Sequence, residues 1–503
     1  MDRRVRRLTI ALVGLFVLLF AQISYVQVFH ADAIADNAAN ARRQLIAEYK
    51  VFRGPILASD GWTPLAASRR TKNELVYQRR YPNGPLYAGA TGFYSVVFGR
   101  SELEQAMNDY LNGDAPELAA QTFADLVLGR PKQGAAVVTT IEAELQAVAA
   151  RALGSQAGAV VALDPETGAV LAMVSNPTYD PNALSSGTGE QIRTAWDELN
   201  ADPSHPLLSN VNDQLFPPGS TFKIVTASAA LENGANPQTT YPNPQELDLP
   251  LSSGTIQNFG GSTCAGGAAQ ITLATAFQIS CNVTFGEIGL DLGPDELQAQ
   301  AEAYGFCRTD PPNRSDCIEP TIPFTIPFAA GRFPVPGYFE GNDPLVAISA
   351  IGQDNVQANP LQMALVAATV ANRGTMMQPQ LVREIRDPNG RVVKTFEPQE
   401  YGRPISEATA DALRQMMVSV VAGGTGTAAQ IPGVAIAGKT GTAQHGDGSF
   451  PHAWFTAFAP ADRDPQIAVA VIVLDGGDLE SEATGGQVAA PIAREIIEAY
   501  LAG

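Results

Sequence analysis

The stretch GVAIAGKTGTAQ, residues 433–444, is compatible with two folds that exclude each other. Its glycines with Lys439 and Thr440 match the phosphate-loop pattern G-x-x-x-x-G-K-[ST], whereas Lys439, Thr440 and Gly441 alone form the K-T-G triplet of serine acyl-transfer enzymes. A phosphate loop requires a buried strand before its first glycine and a helix that begins at the lysine. Here the loop-like run GGTGTAAQIP comes before, and GTAQHGDGS, which carries no helix signal, comes after. We therefore expect a strand over residues 434–442 and disfavour the nucleotide-binding alternative.

A second motif lies upstream, in the segment QLFPPGSTFKIVTASAALENG. Ser220 and Lys223 form an S-x-x-K pair, and the apolar run Thr221–Leu231 predicts a buried helix that places both side chains on one face. A serine hydroxyl is a weak nucleophile until a base takes its proton, and a lysine serves as that base only when burial or nearby cations keep it neutral. Taken alone, the pair also fits a capping serine followed by a lysine whose ammonium group reaches water.

A third motif makes the combination specific. Ser280-Cys281-Asn282 is an S-x-N element on another predicted helix, 60 positions after Ser220 and 159 positions before Lys439. Each element has a structural alternative, since Ser280 fits a buried helix hydroxyl, Asn282 a helix cap and Lys439 a solvated strand end. Three elements in the required order favour the catalytic interpretation, because a motif counts when its structural context agrees.

The rest of the chain alternates between strand and helix patterns. AGAVVALDPETGAVLAMVSNP predicts a β-hairpin around the turn at residues 164–168, and AWFTAFAPADRDPQIAVAVIVLDGG predicts another. The middle of the chain is mainly helical, and GQVAAPIAREIIEAYLA predicts a final helix. DNAANARRQLIAEYK also has a helical pattern, which ends at Arg53-Gly54-Pro55, and mixed short elements then run to about residue 150. We expect that region to form a separate domain.

The N-terminus indicates export. Arginines at positions 3, 4, 6 and 7 precede an uncharged, mostly apolar run, Leu8–Phe29. A bilayer core takes about 20 such residues, and flanking arginines stay on the cytoplasmic side. Ala31-Asp32-Ala33 offers a signal-peptidase site, but signal peptides have shorter apolar regions, so a retained anchor is favoured. Both alternatives place the rest of the chain outside the cytoplasm.

Composition agrees with an exported globular protein. The 503 residues suffice for two or three domains, and a net charge of −19 disfavours binding to nucleic acid or to anionic lipid surfaces. The cysteines are Cys264, Cys281, Cys307 and Cys317. Three pairings are possible, and the short loop from Cys307 to Cys317 suggests one bridge, which leaves Cys264 with Cys281. No Cys/His spacing resembles a zinc site, and no metal or organic cofactor is expected.

These motifs together make the chain similar to class B penicillin-binding proteins, which are exported peptidoglycan D,D-transpeptidases, and most similar to the actinobacterial penicillin-binding protein A type. The resemblance covers nearly the whole chain and includes ALDPETGAVLAMVSNPTYDPN, FPPGSTFK, GQDNVQANPLQMA, GKTGTAQ and HAWFTAFAPAD. It implies an α+β transpeptidase domain with a central antiparallel sheet flanked by helices and an all-helical subdomain. It divides the chain into an anchor with a cytoplasmic tail (residues 1–30), a small mixed α/β non-catalytic domain (31–150) and the transpeptidase domain (151–503).

The resemblance also implies roles for the motif residues. Ser220 would attack the D-Ala-D-Ala bond of a stem peptide, Lys223 would accept its proton, and Ser280 would relay a proton to the leaving D-alanine. By the same resemblance, Asn282 would hydrogen-bond Lys223 and the substrate amide. Lys439, with Thr440, Gly441 and Thr442, would bind the substrate carboxylate. The backbone N–H groups of Ser220 and Thr442 would form the oxyanion hole. A bridge from Cys264 to Cys281 would fix the S-x-N element against the preceding loop.

The expected partners follow from the same resemblance. They are peptidoglycan stem peptides and glycan strands, β-lactams, a polytopic membrane glycosyltransferase and other divisome or elongasome proteins, with the catalytic domain outside a single-pass anchor whose N-terminus is cytoplasmic. Two alternatives remain: a D,D-carboxypeptidase or β-lactamase-like hydrolase that transfers the acyl group to water, and a non-catalytic β-lactam-binding scaffold.

Overall fold

The computed structural model describes residues 3–29, 48–72, 75–249, 254–309, 322–446 and 449–502. The strands in these ranges are β1 (Ile56–Leu57), β2 (Pro64–Arg70), β3 (Tyr77–Arg80), β4 (Tyr94–Ser95), β5 (Gly99–Arg100), β6 (Ala136–Thr139), β7 (Gly158–Leu163), β8 (Val170–Asn176), β9 (Thr240–Pro242), β10 (Glu246–Asp248), β11 (Thr255–Gln257), β12 (Gln270–Thr272), β13 (Cys307–Thr309), β14 (Arg332–Pro334), β15 (Met376–Met377), β16 (Val382–Arg386), β17 (Val392–Thr395), β18 (Glu400–Gly402), β19 (Ala437–Ala443), β20 (His452–Ala459) and β21 (Ile467–Val473).

The α-helices in the same ranges are α1 (Arg3–Phe29), α2 (Gly84–Thr91), α3 (Glu102–Ala106), α4 (Asn108–Asn112), α5 (Ala119–Val127), α6 (Ala143–Leu153), α7 (Pro181–Ser185), α8 (Gly189–Ala201), α9 (Lys223–Glu232), α10 (Leu273–Gln278), α11 (Asn282–Ala303), α12 (Asp343–Ala350), α13 (Pro360–Ala371), α14 (Glu407–Gly423) and α15 (Ala489–Ala502). Both predicted hairpins and the final helix are confirmed, since β7 pairs with β8, β20 pairs with β21, and α15 follows.

The helix α1 is the membrane-spanning candidate. Its segment Arg6–Val26 is long and apolar enough to cross a bilayer, and none of it is buried against the rest of the protein. The segment DNAANARRQLIAEYK, for which we expected a helix, lies almost wholly outside the described residues.

A five-stranded antiparallel sheet, in the order β19-β20-β21-β7-β8, forms the centre of the C-terminal part of the chain. Alternate residues of its strands face opposite sides, so that Val161 of β7 packs in one hydrophobic cluster while Val160 packs in another. Helix α13 covers one face, whereas α6 and α15 cover the other. Because both faces are buried, the inner strands β7 and β21 are continuous apolar runs rather than alternating ones. The expected central sheet flanked by helices is confirmed.

A second sheet, in the order β17-β16-β6-β1-β2-β3, contains strands from distant parts of the chain. The hairpin of β16 and β17 joins strands that lie more than two hundred positions earlier. Next to this sheet the carboxylate of Glu104 is fully buried between Arg53 Nε at 2.7 Å and Arg79 Nε at 2.6 Å. A buried carboxylate is tolerated there because two guanidinium groups compensate its charge.

Candidate active site

Ser220, the candidate nucleophile, lies at the start of a helix, as its position before the predicted helix indicated. Residues Gly219–Phe222 form a 3-10 helix that continues into α9 at Lys223, so Ser220 and Lys223 belong to one helical segment and lie one 3-10 turn apart. The predicted helix from Thr221 is therefore confirmed, with a tighter first turn. Two hydrogen bonds hold this turn in place: Gly219 N–H donates to Gly352 O at 2.9 Å, and Trp454 Nε1–H donates to Pro217 O at 2.9 Å.

The strand β19 carries the K-T-G triplet and packs against the serine turn. It continues through Ala443 and no helix begins at Lys439, so the phosphate-loop alternative is wrong. The glycine of the triplet has a steric reason, because a Cβ atom at Gly441 would lie 2.9 Å from Pro218 O. Gly219 has a φ of +51°, a conformation that favours glycine. These two glycines allow the strand and the serine turn to approach each other.

The S-x-N element does not lie within a single helix, contrary to our expectation. Helix α10 ends at Gln278 and α11 begins at Asn282, and Ser280 between them has a φ of +60°. This left-handed residue interrupts the helical direction. The interruption frees the backbone carbonyl of Ser280, which a continuous helix would engage, and presents it to Lys223.

Lys223 is fully buried, and its amine forms hydrogen bonds with the S-x-N element. Its Nζ donates to Ser280 O at 2.8 Å and to Asn282 Oδ1 at 2.8 Å, and lies 3.5 Å from Ser280 Oγ. Burial, followed by the nearby charge of Lys439, lowers the pKa of Lys223 well below its ordinary value. A neutral amine has two N–H groups and one lone pair. Because the two N–H groups are engaged by oxygens, the lone pair remains free to accept a proton.

Lys439 reaches the same centre from β19. Its Nζ donates to Ser280 Oγ at 2.7 Å and to Thr440 O at 3.0 Å. Burial lowers the pKa of Lys439 to about 7. The hydroxyl of Ser280 therefore lies within hydrogen-bond distance of two buried amines, as a proton relay requires.

The remaining predicted residues line a cavity of about 1290 Å³. Ser220, Ser280, Asn282, Thr440 and Thr442 all contribute to its wall. Thr440 Oγ1 is 2.6 Å from Thr425 Oγ1 on the opposite wall, and either hydroxyl can be the donor. The structure thus brings these five predicted residues to one cavity. The buried amines of Lys223 and Lys439 reach it through their hydrogen bonds to Ser280 and Asn282, and Gly441 packs against the serine turn.

The cysteine expectation is confirmed for one pair. Cys264 and Cys281 form a disulfide across 17 positions, and the bridge joins the S-x-N element to the preceding loop. Cys317, the suggested partner of Cys307, lies outside the described residues, so the second bridge stays a prediction.

One group among the described residues has metal-ligand character. Ligand atoms of His445, His452 and Asp475 lie within 4.8 Å of one another at the end of β19 and β20. The two imidazole rings are stacked, with centroids 3.7 Å apart and planes 16° apart, so their nitrogen lone pairs run parallel instead of converging. His452 Nδ1 already accepts the Asp475 N–H at 3.2 Å. This group fastens the β19–β20 hairpin to the end of β21, and the geometry does not favour a metal ion there.

Sequence reasoning missed three residues of the site: Asn258, Thr425 and Trp454. Trp454 lies in the segment HAWFTAFAPAD, so the family resemblance of that segment could have pointed to it. In the structure it pairs with Gly441 of β19. Asn258 and Thr425 lie in loops and reach the site only through the tertiary fold, so no local signal marks them.

The fold and this constellation define a class of serine acyl-transfer protein, and comparison with known proteins gives the family. Residues 158–498 match the penicillin-binding protein transpeptidase domain, and residues 53–137 match the penicillin-binding protein A dimerisation domain. The chain belongs to the penicillin-binding protein transpeptidase family.

The chain is most informatively compared with mycobacterial proteins. It is 41% identical to the peptidoglycan D,D-transpeptidase PbpA of Mycolicibacterium smegmatis, over 100% of this chain and 99% of that protein. It is 38% identical to PbpA of Mycobacterium tuberculosis, over 100% of both chains. The solved structure of penicillin-binding protein A from M. tuberculosis as a ceftriaxone acyl-enzyme has a TM-score of 0.84 at 38% identity, and the match covers 91% of this chain and 100% of that chain.

Proposed function

We propose that the protein is a serine-type peptidoglycan D,D-transpeptidase, the activity for which its mycobacterial relatives are named. The observation that carries this proposal is the environment of Lys223. Its N–H groups are held by Ser280 O and Asn282 Oδ1, and its pKa is lowered by burial and by Lys439. A lysine in that state is a general base one helical turn from a serine hydroxyl.

Acylation begins when Ser220 Oγ attacks the carbonyl carbon between the two terminal D-alanines. The hydroxyl proton passes to Lys223, and an oxyanion forms on the carbonyl oxygen. Collapse of this intermediate breaks the C–N bond, and the leaving D-alanine takes a proton through Ser280. The product is an ester of Ser220 with the shortened stem peptide.

Recognition of the donor depends on the opposite wall of the cavity. Lys439 supplies positive potential for the terminal carboxylate, with hydroxyls from Thr440 and Thr442 as further donors. Asn282 offers its amide to the peptide backbone. The backbone N–H groups of Ser220 and Thr442 form the oxyanion hole, a device in which loss of one donor costs about 3 kcal/mol.

Transfer is completed by an amine of a second stem peptide. The amine attacks the ester carbonyl, the new C–N bond forms, and the Ser220–acyl bond breaks, so that Ser220 regains a proton and a cross-link results. A β-lactam enters the first half of this cycle as an acyl donor. Its acyl group then blocks Ser220.

The proposal extends to the place of the enzyme in the cell. Helix α1 anchors the chain in the membrane, with the arginines at its N-terminal end on the cytoplasmic side and the catalytic cavity outside. Residues 1–30 then form the anchor, 31–150 the non-catalytic domain and 151–503 the transpeptidase domain. A polytopic glycosyltransferase and other divisome or elongasome proteins are the partners that we expect to meet the first two regions.

Two assays test the activity. Labelling with a fluorescent penicillin is expected for the wild-type protein and not for Ser220→Ala, and equal labelling of both would refute the site assignment. A stem-peptide thioester with an acceptor amine is expected to give cross-linked product. Hydrolysis alone would indicate a carboxypeptidase, and penicillin labelling without any product would indicate a β-lactam-binding scaffold.

A further inference from the structure

The first turn of α11 lacks a cap from its own chain neighbour. Cys281 occupies the N-cap position, where serine, threonine, aspartate or asparagine ordinarily accepts a first-turn N–H. The Cys281 sulfur is joined to Cys264 and accepts the Thr284 hydroxyl at 3.2 Å, but it makes no capping hydrogen bond. The N–H groups of the first turn therefore need another acceptor.

Asn258 supplies that acceptor from 24 positions earlier in the chain. Its Oδ1 accepts the N–H of Asn282 at 2.9 Å and the N–H of Val283 at 3.1 Å. Its Nδ2 donates to Ser262 O at 3.1 Å. Because two backbone N–H groups meet the oxygen of the amide and a carbonyl meets its nitrogen, the orientation of the Asn258 side chain is fixed. The residue is 9% exposed, so water competes little for these bonds.

The same loop fixes the side chain of Asn282. Its Nδ2 donates to Gln257 O at 3.1 Å, which turns its Oδ1 towards Lys223 Nζ at 2.8 Å. Residues 257 and 258 thus hold both the backbone and the amide of Asn282. The other acceptor of Lys223, Ser280 O, lies two residues before the capped turn.

We propose that Asn258 is a positioning residue of the catalytic centre, which caps α11 in place of Cys281 and thereby holds the two oxygens that orient the Lys223 amine. This inference rests on the proposed function. Without the cap, the first turn of α11 frays, the oxygens of Ser280 and Asn282 shift, and the lone pair of Lys223 is no longer aimed at a hydroxyl. Small displacements of a catalytic group carry large rate losses.

The test compares acylation by fluorescent penicillin in three variants of the full chain. Asn258→Ala removes the acceptor, and we expect the acylation rate constant to fall about 10- to 100-fold while the dissociation constant for the non-covalent complex stays near the wild-type value. Asn258→Asp keeps the acceptor oxygen and is expected to recover the maximal rate. Its acid limb should move to higher pH, because a carboxylate near Lys223 favours the ammonium form.

Asn359→Ala is the matched control. Asn359 is buried and caps α13 through the N–H of Gln362 at 2.8 Å, while its Nδ2 donates to Ala329 O. Like Asn258, it accepts a first-turn N–H through its oxygen and donates to a carbonyl through its nitrogen, but the helix that it caps carries no acceptor of Lys223. We expect Asn359→Ala to lower the melting temperature as Asn258→Ala does, and to acylate at close to the wild-type rate.

The outcomes separate the two proposals. A wild-type protein that is not labelled at Ser220 contradicts the proposed function itself. With a labelled wild type, the inference fails if Asn258→Ala acylates normally, if Asn359→Ala is equally slow, or if Asn258→Asp neither recovers the rate nor shifts its acid limb. Should Asn258→Ala not fold, Asn258→Ser replaces it with the same expectation, since the shorter serine side chain cannot reach the N–H groups of Asn282 and Val283.

Discussion

The Nζ atom of Lys439 lies 2.7 Å from the Oγ atom of Ser280, although 159 positions separate them in the chain. The same hydroxyl is 3.5 Å from Lys223 Nζ, so the two buried amines approach one oxygen. Two ammonium groups in such a dry environment repel each other, and burial disfavours both charges. In the proposed mechanism Lys439 acts as the cation that binds the substrate carboxylate, and Lys223 acts as the neutral base.

The pH dependence of acylation follows from the two pKa shifts. Lys223 acts in its neutral form, so acylation efficiency rises as pH increases through its lowered pKa. Lys439 acts as a cation, so the efficiency of the free enzyme falls as pH increases through about 7. Labelling rates with fluorescent penicillin across the pH range should give a bell-shaped profile. An efficiency that still climbs well above neutral pH would contradict the role of Lys439.

Removing the charge of Lys439 should move the acid limb. In Lys439→Met the like charge beside Lys223 is lost, the pKa of Lys223 rises, and the acid limb shifts to higher pH. Overall labelling also falls, because the carboxylate loses its cation. Thr425→Val serves as the control, since it removes the partner of Thr440 without changing charge. An acid limb that stays in place in Lys439→Met would mean that the two amines are uncoupled.

The proposed proton relay through the Ser280 hydroxyl predicts a loss of acylation rate when that hydroxyl is removed. Ser280→Ala removes the group between the two amines, and the acylation rate should fall about 10²- to 10⁴-fold, the range of general acid–base contributions. Ser228→Ala is the matched control. Ser228 is a buried helical serine that does not line the cavity, and its hydroxyl donates to Ile224 O over 2.8 Å. Comparable rates for Ser280→Ala and Ser228→Ala would exclude a relay through Ser280.

The buried ion pairs of Glu104 with Arg53 and Arg79 lead to a prediction about stability. Glu104→Gln leaves Arg53 and Arg79 buried without their carboxylate, and breaking such a network costs about 3–5 kcal/mol. We expect a clear loss in the free energy of unfolding measured with denaturant. Glu498→Gln disturbs an exposed pair with Arg494 and should cost less than about 1 kcal/mol. Equal effects of the two substitutions would show that the buried network contributes little.

The disulfide can be checked chemically. Alkylation of the unfolded protein without reductant should leave Cys264 and Cys281 unmodified, and both should be modified after reduction. Peptide masses measured by mass spectrometry report this directly. Modification of both thiols in the unreduced protein would contradict the bridge.

Local patterns in the sequence predicted much of this fold. The hairpins of β7–β8 and β20–β21 were predictable because apolar strands flank turn-rich connections, and α15 because its apolar residues recur at helical spacing. The position of Ser280 outside a helix was not, because a left-handed residue that is not glycine leaves no mark in composition. The positions of Asn258 and Thr425 at the site were equally hidden, since both lie in loops whose path depends on distant packing.

The sequence by itself determined the chemical groups: one serine, two lysines, a second serine and an asparagine in a fixed order, with an apolar N-terminal segment ahead of them. The tertiary structure alone decided that these groups meet. Strand β19 pairs at the edge of the central sheet, and the 3-10 turn that leads into α9 packs against it. The turn before α11 contacts the lysines of both elements. Local periodicity sets helix and strand, but contacts across 57 or 159 positions arise only when the buried faces of many elements pack at once, and that packing also removes the water that would keep Lys223 charged.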